Sequence, residues 1–346
     1  MGKNPNTIGV VFLNLGGPDS LQAVGPFLYN LFSDRQIIRL GPSFLQKPLA
    51  WLISSVRSGK TENLYRMIGG KSPILEITSA QAKALEESLN QNSSPTAPPP
   101  RREKSSKAAT DVNYKVFIAM RYWHPFTEDV IPVIHNTGIR KLIALCLYPH
   151  YSIATSGSSL SKFREVISQY PIEFFTIAEW YDHPLYIESL IDVIQKGIQS
   201  FGSESAHDIH VLFSAHSLPQ KFIDQGDPYV AHTMKTIGEI TKRISMQWHL
   251  SYQSKSGPVQ WLEPSTEAKL EELSGKGVKN ILMVPISFVS DHIETLYEID
   301  ILYANLATKL GMTLHRAASL NTNPLFIEAL RDMVMKSVTD LRWLPS

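Results

Sequence analysis

Cysteine is almost missing from this 346-residue chain: Cys146 stands alone inside the apolar run KLIALCLYP, where it reads as a small buried hydrophobe. One thiol excludes an intrachain disulfide and any thiolate-only metal or iron–sulfur site built from this chain. Charge of one sign is lacking too. Lys and Arg number 33 against 32 Asp and Glu, a formal charge of +1, so no overall basic field draws nucleic acid. No uninterrupted apolar stretch approaches the ~20 residues that a membrane-spanning helix requires. Gly59-Lys60-Thr61 and Gly70-Lys71-Ser72 resemble the end of a phosphate-binding loop, but Ser54 and Tyr65 stand where that loop needs its earlier Gly. A dinucleotide Gly pattern, a metalloprotease helix and a nucleophile elbow are likewise missing.

What is present suits a folded chain with ample core, since 43% of residues are apolar and 19% charged. Apolar strand-like runs alternate with helical patterns: IGVVFL, YKVFIAM, KLIALCL, IEFFTIA, IHVLFSA, PVQWL, KNILMVP and TLHRA. Such alternation predicts an α/β fold of parallel sheets covered by helices. The N-terminal MGKNPNTIGVVFLNLGG lacks a small-residue cleavage pattern and reads as the first core strand. Residues 91–113, rich in Ser, Pro and charge, read as a flexible surface insertion. Residues 26–56 are apolar and broken by Pro26, Gly41, Pro42 and Pro48. They suit short helices that form a lip around a pocket or touch a membrane surface, with burial against the chain's own core as the rival.

The halves echo each other. His124-Pro125-Phe126-Thr127-Glu128 opens a helical pattern before Gly138 and KLIALCL, and Glu263-Pro264-Ser265-Thr266-Glu267 does the same before Gly277 and NILMVP. VVFLNLGGP, ending at Pro18, likewise matches VLFSAHSLP, ending at Pro219. Two matches in the same order predict two related domains, 1–170 and 171–346, with the final helix packing back on the first. In this alignment His216 takes the place of Leu15, and Glu294 that of Thr155. Both follow core strands, at the C-terminal sheet edges where α/β proteins bind ligands. A lone His after a strand is more often a hydrogen-bonded structural residue, and an acidic helix start is usually a dipole effect. Asp291, Glu294 and Glu298 nevertheless share one helical face, with His292 beside them.

Six segments in order carry a specific likeness: LNLGGP, YRMIGGKSPI, MRYWHPFTE, YPHYSIATSGSS, LFSAHSLP with GDPY, and SDHIETLYEID, extended by SLNTNPLF. The chain resembles the ferrochelatases, which insert ferrous iron into a porphyrin at the last step of haem synthesis. The resemblance implies two similar Rossmann-like, chelatase-type domains, each a four-stranded parallel sheet flanked by helices, with porphyrin in the cleft between them. It assigns His216 as the family's active-site His and Glu294 as the acid facing it, both also candidate metal ligands. Arg57, Tyr65, Ser72, Arg121 and Tyr122 match positions around the macrocycle and its propionates, although Tyr65 and Ser72 can equally order the GGKSP loop. Asp291, His292 and Glu298 form a candidate path for protons or iron. The four cysteines that bind an iron–sulfur cluster in some relatives are absent, so no cluster or resident cofactor is expected and Fe2+ is a substrate.

The chemistry requires these residue types. A free-base porphyrin carries two N–H groups, so insertion needs a base and distortion of a flat ring. Imidazole can accept a proton or ligate iron, and a carboxylate suits ferrous iron. The substrates expected are protoporphyrin IX and Fe2+, handled by a cytoplasmic monomer with an option of peripheral membrane contact. Coproporphyrin III, a cobalt-precorrin ring, or a two-lobed binding protein without turnover are the rival readings.

Overall fold

In the computed structural model, residues 6–91, 112–202, 208–255 and 257–344 are described, so most of the insertion expected at 91–113 lies outside the described residues. Eight strands form: β1 (Thr7–Asn14), β2 (Asn113–Met120), β3 (Lys141–Cys146), β4 (Glu173–Ile177), β5 (Ile209–His216), β6 (Gln247–Gln253), β7 (Asn280–Pro285) and β8 (Thr313–Arg316). They pair in parallel as two sheets, ordered β2-β1-β3-β4 and β6-β5-β7-β8. The architecture is thus the expected α/β arrangement of two four-stranded parallel sheets. β1 and β5 are buried almost throughout because helices cover both faces of each sheet, which is why their sequences are continuous apolar runs rather than alternating ones.

Two expectations are corrected. PVQWL is not a strand: its Trp261 makes only an isolated bridge to Pro219, and the place is taken by β6, whose sequence is QWHLSYQ. β6 lies at the sheet edge, and its alternating polar residues Gln247, His249, Ser251 and Gln253 hide its strand character, although Ser251 and Gln253 are buried. The division at residue 170 also falls too early. β4 pairs with β3 from Lys141↔Glu173 to Leu145↔Ile177, so the first sheet closes beyond it.

The repeat is geometrical as well as sequential. Leu13 lies opposite Cys146 in one sheet and Ser214 opposite Pro285 in the other, the register that equates Leu15 with His216. After the second strand of each sheet the backbone returns in the same way, with Met120 N–H on Pro125 O at 2.7 Å and Tyr252 N–H on Pro264 O at 2.9 Å. An inner apolar cluster joins the sheets, taking Phe12 and Leu145 from one, Phe213 and Val284 from the other, and Leu190 and Phe326 from helices between them. Truncating the fully buried Phe213 to Ala should cost about 3–5 kcal/mol. The terminal helix Pro324–Asp340 also contacts α3 (Ile74–Asn90) of the first half, where Arg331 Nε donates to Ser88 O at 3.2 Å.

The apolar segment forms α1 (Val24–Ser33) and α2 (Gln46–Met67). α2 has 22 residues rather than the short pieces expected, because Pro48 sits in its first turn, where a missing N–H leaves no intrahelical bond unmade. Buried Gln46 fastens its base: Nε2 donates to Phe32 O at 2.7 Å and Ile38 O at 2.9 Å. α1 turns Val24, Phe27 and Leu28 inward against Tyr65 and Tyr122, whereas α2 leaves Trp51, Leu52 and Val56 exposed. Burial and exposure, the two fates considered for this segment, are divided between its helices.

Candidate active site

In each sheet the strand order reverses between the first and third strands, opening a crevice at their C-terminal ends. The two crevices face one cleft. Asn14 and Leu15 at the end of β1, Leu147 and Tyr148 after β3, His216 and Leu218 around the end of β5, and residues of the turn 287–294 after β7 line it. Its cavity volume is about 110 Å³, and it is partly open to solvent. Leu15, Thr155, His216 and Glu294 all border it, so the repeat places two inert residues and two reactive ones around one space.

His216 ends β5, and Glu294 opens a π-helical segment, Glu294–Tyr303, after β7. The first half has a shorter π-helical turn, Ile153–Gly157, at the equivalent place; such wide turns re-aim side chains and cluster at functional sites. His216 Nδ1 and Glu294 Oε2 are 2.8 Å apart. Burial acts most strongly on both groups and disfavours both charges, yet their mutual attraction outweighs it: the His216 pKa is raised and that of Glu294 falls well below the carboxylate range. With Glu294 ionised, Nδ1–H donates to it and the Nε2 lone pair of neutral His216 is left free. Tyr229 holds this His from behind, its hydroxyl donating to His216 O at 2.9 Å and meeting Ser287 Oγ at 2.5 Å. Phe288 stands edge-on to His216, with ring centroids 6.1 Å apart.

The other acidic candidates separate. Glu298 is pushed up to about 7, first by burial and then by the charge of Glu294. Its Oε2 accepts from Ser254 Oγ at 2.6 Å and Gln253 Nε2 at 3.1 Å. His292 also lines the cleft, with Nδ1 3.0 Å from Ser290 O and Nε2 3.9 Å from Glu294 Oε2. Asp291 does not join a carboxylate row. Arg316 Nη1 at 2.9 Å, Ser319 Oγ at 2.7 Å and Asn321 Nδ2 at 2.8 Å all donate to it, and a carboxylate so occupied anchors the turn instead of carrying protons or iron.

The residues expected around a macrocycle also divide. Arg57 is exposed on α2, 5.5 Å from the centre of the Phe32 ring. Tyr65 is buried where the charge of Glu294 acts on its hydroxyl, which burial first and that charge second hold un-ionised. Ser72 is buried; its N–H bonds Pro18 O at 2.8 Å, and a Cβ on Gly17 would come 2.5 Å from its Oγ. Its placement fits the loop-ordering alternative. Arg121 is not free to receive a propionate as expected: Nη2 donates to Asp34 Oδ2 at 2.7 Å and Nε to Ser158 Oγ at 2.8 Å. Tyr122 is fully buried and its hydroxyl donates to the same Asp34 oxygen at 2.8 Å. Asp34, Gln253, Ser254, Tyr229 and Ser287 were not singled out by sequence reasoning; only Tyr229, within GDPY, lay in a motif.

A family model described as Ferrochelatase matches residues 7–338. A protein named ferrochelatase from Geotalea uraniireducens (strain Rf4) is 48% identical over 339 residues, covering 97% of this chain and 99% of that relative. Another of that name from Geobacter metallireducens (strain ATCC 53774 / DSM 7210 / GS-15) is 50% identical over 332 residues, covering 95% and 98%. A third, from Gloeothece citriformis (strain PCC 7424), is 46% identical over 345 residues and is covered to 83% of its length. Among solved structures, SirB from Bacillus subtilis with Fe3+ superposes with a TM-score of 0.54 at 10% identity, covering 98% of this chain and 99% of SirB. At that identity the likeness establishes a shared fold.

Proposed function

This chain belongs to the ferrochelatase family, and we propose that it inserts Fe2+ into protoporphyrin IX, forming protohaem and releasing two protons as the last step of haem biosynthesis. The observation that carries this reading is the His216–Glu294 pair, 2.8 Å apart, at the floor of an otherwise largely apolar cleft. A carrier needs the cleft alone; a base aligned by a carboxylate serves turnover. Glu294 fixes the imidazole so that Nε2 meets the ring, where it takes a pyrrole proton or an iron ion, one at a time. Leu15, Leu147, Leu218 and Phe288 give the cleft close-packed walls against which a flat ring can be bent. Glu298, titrating near neutrality, is suited to receive a released proton, with His292 beside the route. Arg57 is the arginine left to pair with a propionate, while Arg121 acts through Asp34.

A single chain supplies both walls, which supports a functional monomer. Among the described residues no helix is long and apolar enough to cross a membrane. The lip supports peripheral contact instead: Phe44, Trp51 and Val56 are 75%, 64% and 75% exposed, and every ionisable side chain between residues 35 and 60 is Arg or Lys. Apolar side chains set among cations fit an anionic bilayer surface. The reaction is tested by mixing the purified chain with anaerobic Fe2+, or Zn2+, and either protoporphyrin IX or coproporphyrin III, and following the porphyrin bands. Turnover with protoporphyrin IX is expected. Binding without turnover makes the chain a carrier, and preference for coproporphyrin III reassigns the substrate.

A further inference from the structure

Ser254, the residue after β6, has φ +69°. That left-handed conformation brings the Cβ of an L-residue against its own backbone and is ordinarily left to Gly or Asn. Ser254 persists there while its Oγ donates to Glu298 Oε2 at 2.6 Å. Its neighbour Gln253 is almost completely buried and is held by Ser214, whose hydroxyl donates to the Gln253 Oε1 at 2.6 Å. That orientation turns Nε2 to the π-helical segment, where it donates to Glu294 O at 2.9 Å and to Glu298 Oε2 at 3.1 Å. The backbone carbonyl of Gln253 receives Ser217 N–H at 2.9 Å. One dipeptide therefore touches the loop that follows His216, the backbone of Glu294 and the carboxylate of Glu298. Two donors converge on one oxygen of Glu298, leaving Oε1 for a proton or a cation.

We propose that Gln253 and Ser254 are positioning residues for metal insertion: they pin Glu298 by one oxygen, and the backbone strain at Ser254 is retained because only that conformation aims its hydroxyl at Glu298. The proposal rests on the chelatase reading of the cleft. The dipeptide acts on the metal and proton side of the reaction and leaves the porphyrin walls untouched, since neither residue lines the cleft.

Ser254→Ala and Ser254→Gly separate positioning from scaffolding. Both remove the hydroxyl; Ala keeps the strained backbone, whereas Gly relaxes it, so the Gly variant should melt at the higher temperature of the two. Zinc insertion by the unchanged chain is measured first, then kcat and KM for zinc and for porphyrin in each variant. The expected result is an equal loss in both, about tenfold in kcat/KM for the metal as for a lost charge-assisted hydrogen bond, with porphyrin KM unmoved. Recovery of activity in Ser254→Gly in step with its stability would make the residue a scaffold only and overturn the proposal. Metal kinetics unchanged in both variants overturn it equally. If the unchanged chain shows no turnover, the proposed function fails first and this proposal with it.

Discussion

His216 and Glu294 are each explained by the other. Burial disfavours the imidazolium, but the carboxylate outweighs burial and raises the pKa, so Nε2 becomes a bare base only above that raised value. Insertion should therefore gain kcat/KM as pH climbs through it. Glu294→Gln removes the opposing charge, lets His216 titrate lower and should move the acid limb of the profile to lower pH, even as overall activity falls. A limb that stays in place would show that another group is the base. His216→Ala should abolish insertion while porphyrin still binds, as read by quenching of its fluorescence. Asp34 illustrates a different residue-scale demand. Burial alone would raise its pKa, but Ser158, Arg121, Gln36 and Tyr122 together lower it, so its stabilising effect is complete above the unfolded carboxyl pKa and is lost as pH falls through the folded one. Asp34→Ala strands Arg121 in its largely buried site and should cost about 3–5 kcal/mol in urea unfolding. Adding Arg121→Met should restore much of that loss. This network was not legible in the sequence, because an Asp in the polar gap of an apolar segment carries no mark of the residue 87 positions away that it pairs with.

Elements were legible where burial made them simple. β1, β3, β5 and β7 are covered on both faces and announce themselves as apolar runs, whereas β6 at a sheet edge alternates and was missed. The acidic helix start was recognised, but α-helical spacing cannot foresee the π-helical segment 294–303, which leaves Asp291 bound by Arg316 before the turn begins. The lip is the element whose composition was clearest and whose division of labour was not. α1 buries Val24, Phe27 and Leu28, and α2 adds Tyr65 to the same cluster near its C-terminal end, but the first half of α2 presents Trp51, Leu52 and Val56 outward. An isolated apolar helix face costs solubility unless something covers it. Changing Trp51 and Val56 to Glu together should lower co-sedimentation with anionic phospholipid vesicles at least tenfold, by removing apolar area and adding repulsion. Activity on detergent-dispersed porphyrin should stay near that of the unchanged chain. Equal sedimentation of the two proteins would show that the lip does not meet the bilayer.

The whole molecule is two copies of one motif that have diverged at a few positions. Its repeat could be read from HPFTE and EPSTE because their backbone turns are the same in both halves. The joint between the halves could not, because it is made by side chains of unrelated motifs. Asp227 of GDPY reaches across to YPHYS: Oδ2 accepts from Ser152 Oγ at 2.9 Å and from Ile153 N–H at 2.8 Å, while Oδ1 accepts from Tyr229 N–H at 3.0 Å. His150 Nε2 meets Thr236 Oγ1 at 2.9 Å alongside it. Tyr229 in turn supports His216, so the same aspartate that fastens the first half to the second lies two residues from the tyrosine that braces this imidazole. Asp227→Ala deprives Ile153 N–H and the Ser152 hydroxyl of their partner; the Ser152 side chain is fully buried, so its stranded hydroxyl should cost about 1–3 kcal/mol. The seam should loosen: amide exchange at Ile153 should quicken, and porphyrin KM should rise about tenfold because the two walls no longer hold one width. Asp227→Asn keeps an acceptor oxygen and should lose less on both measures. If exchange at Ile153 is the same in the unchanged chain and in Asp227→Ala, the seam is held by its other contacts and the cleft does not depend on this carboxylate.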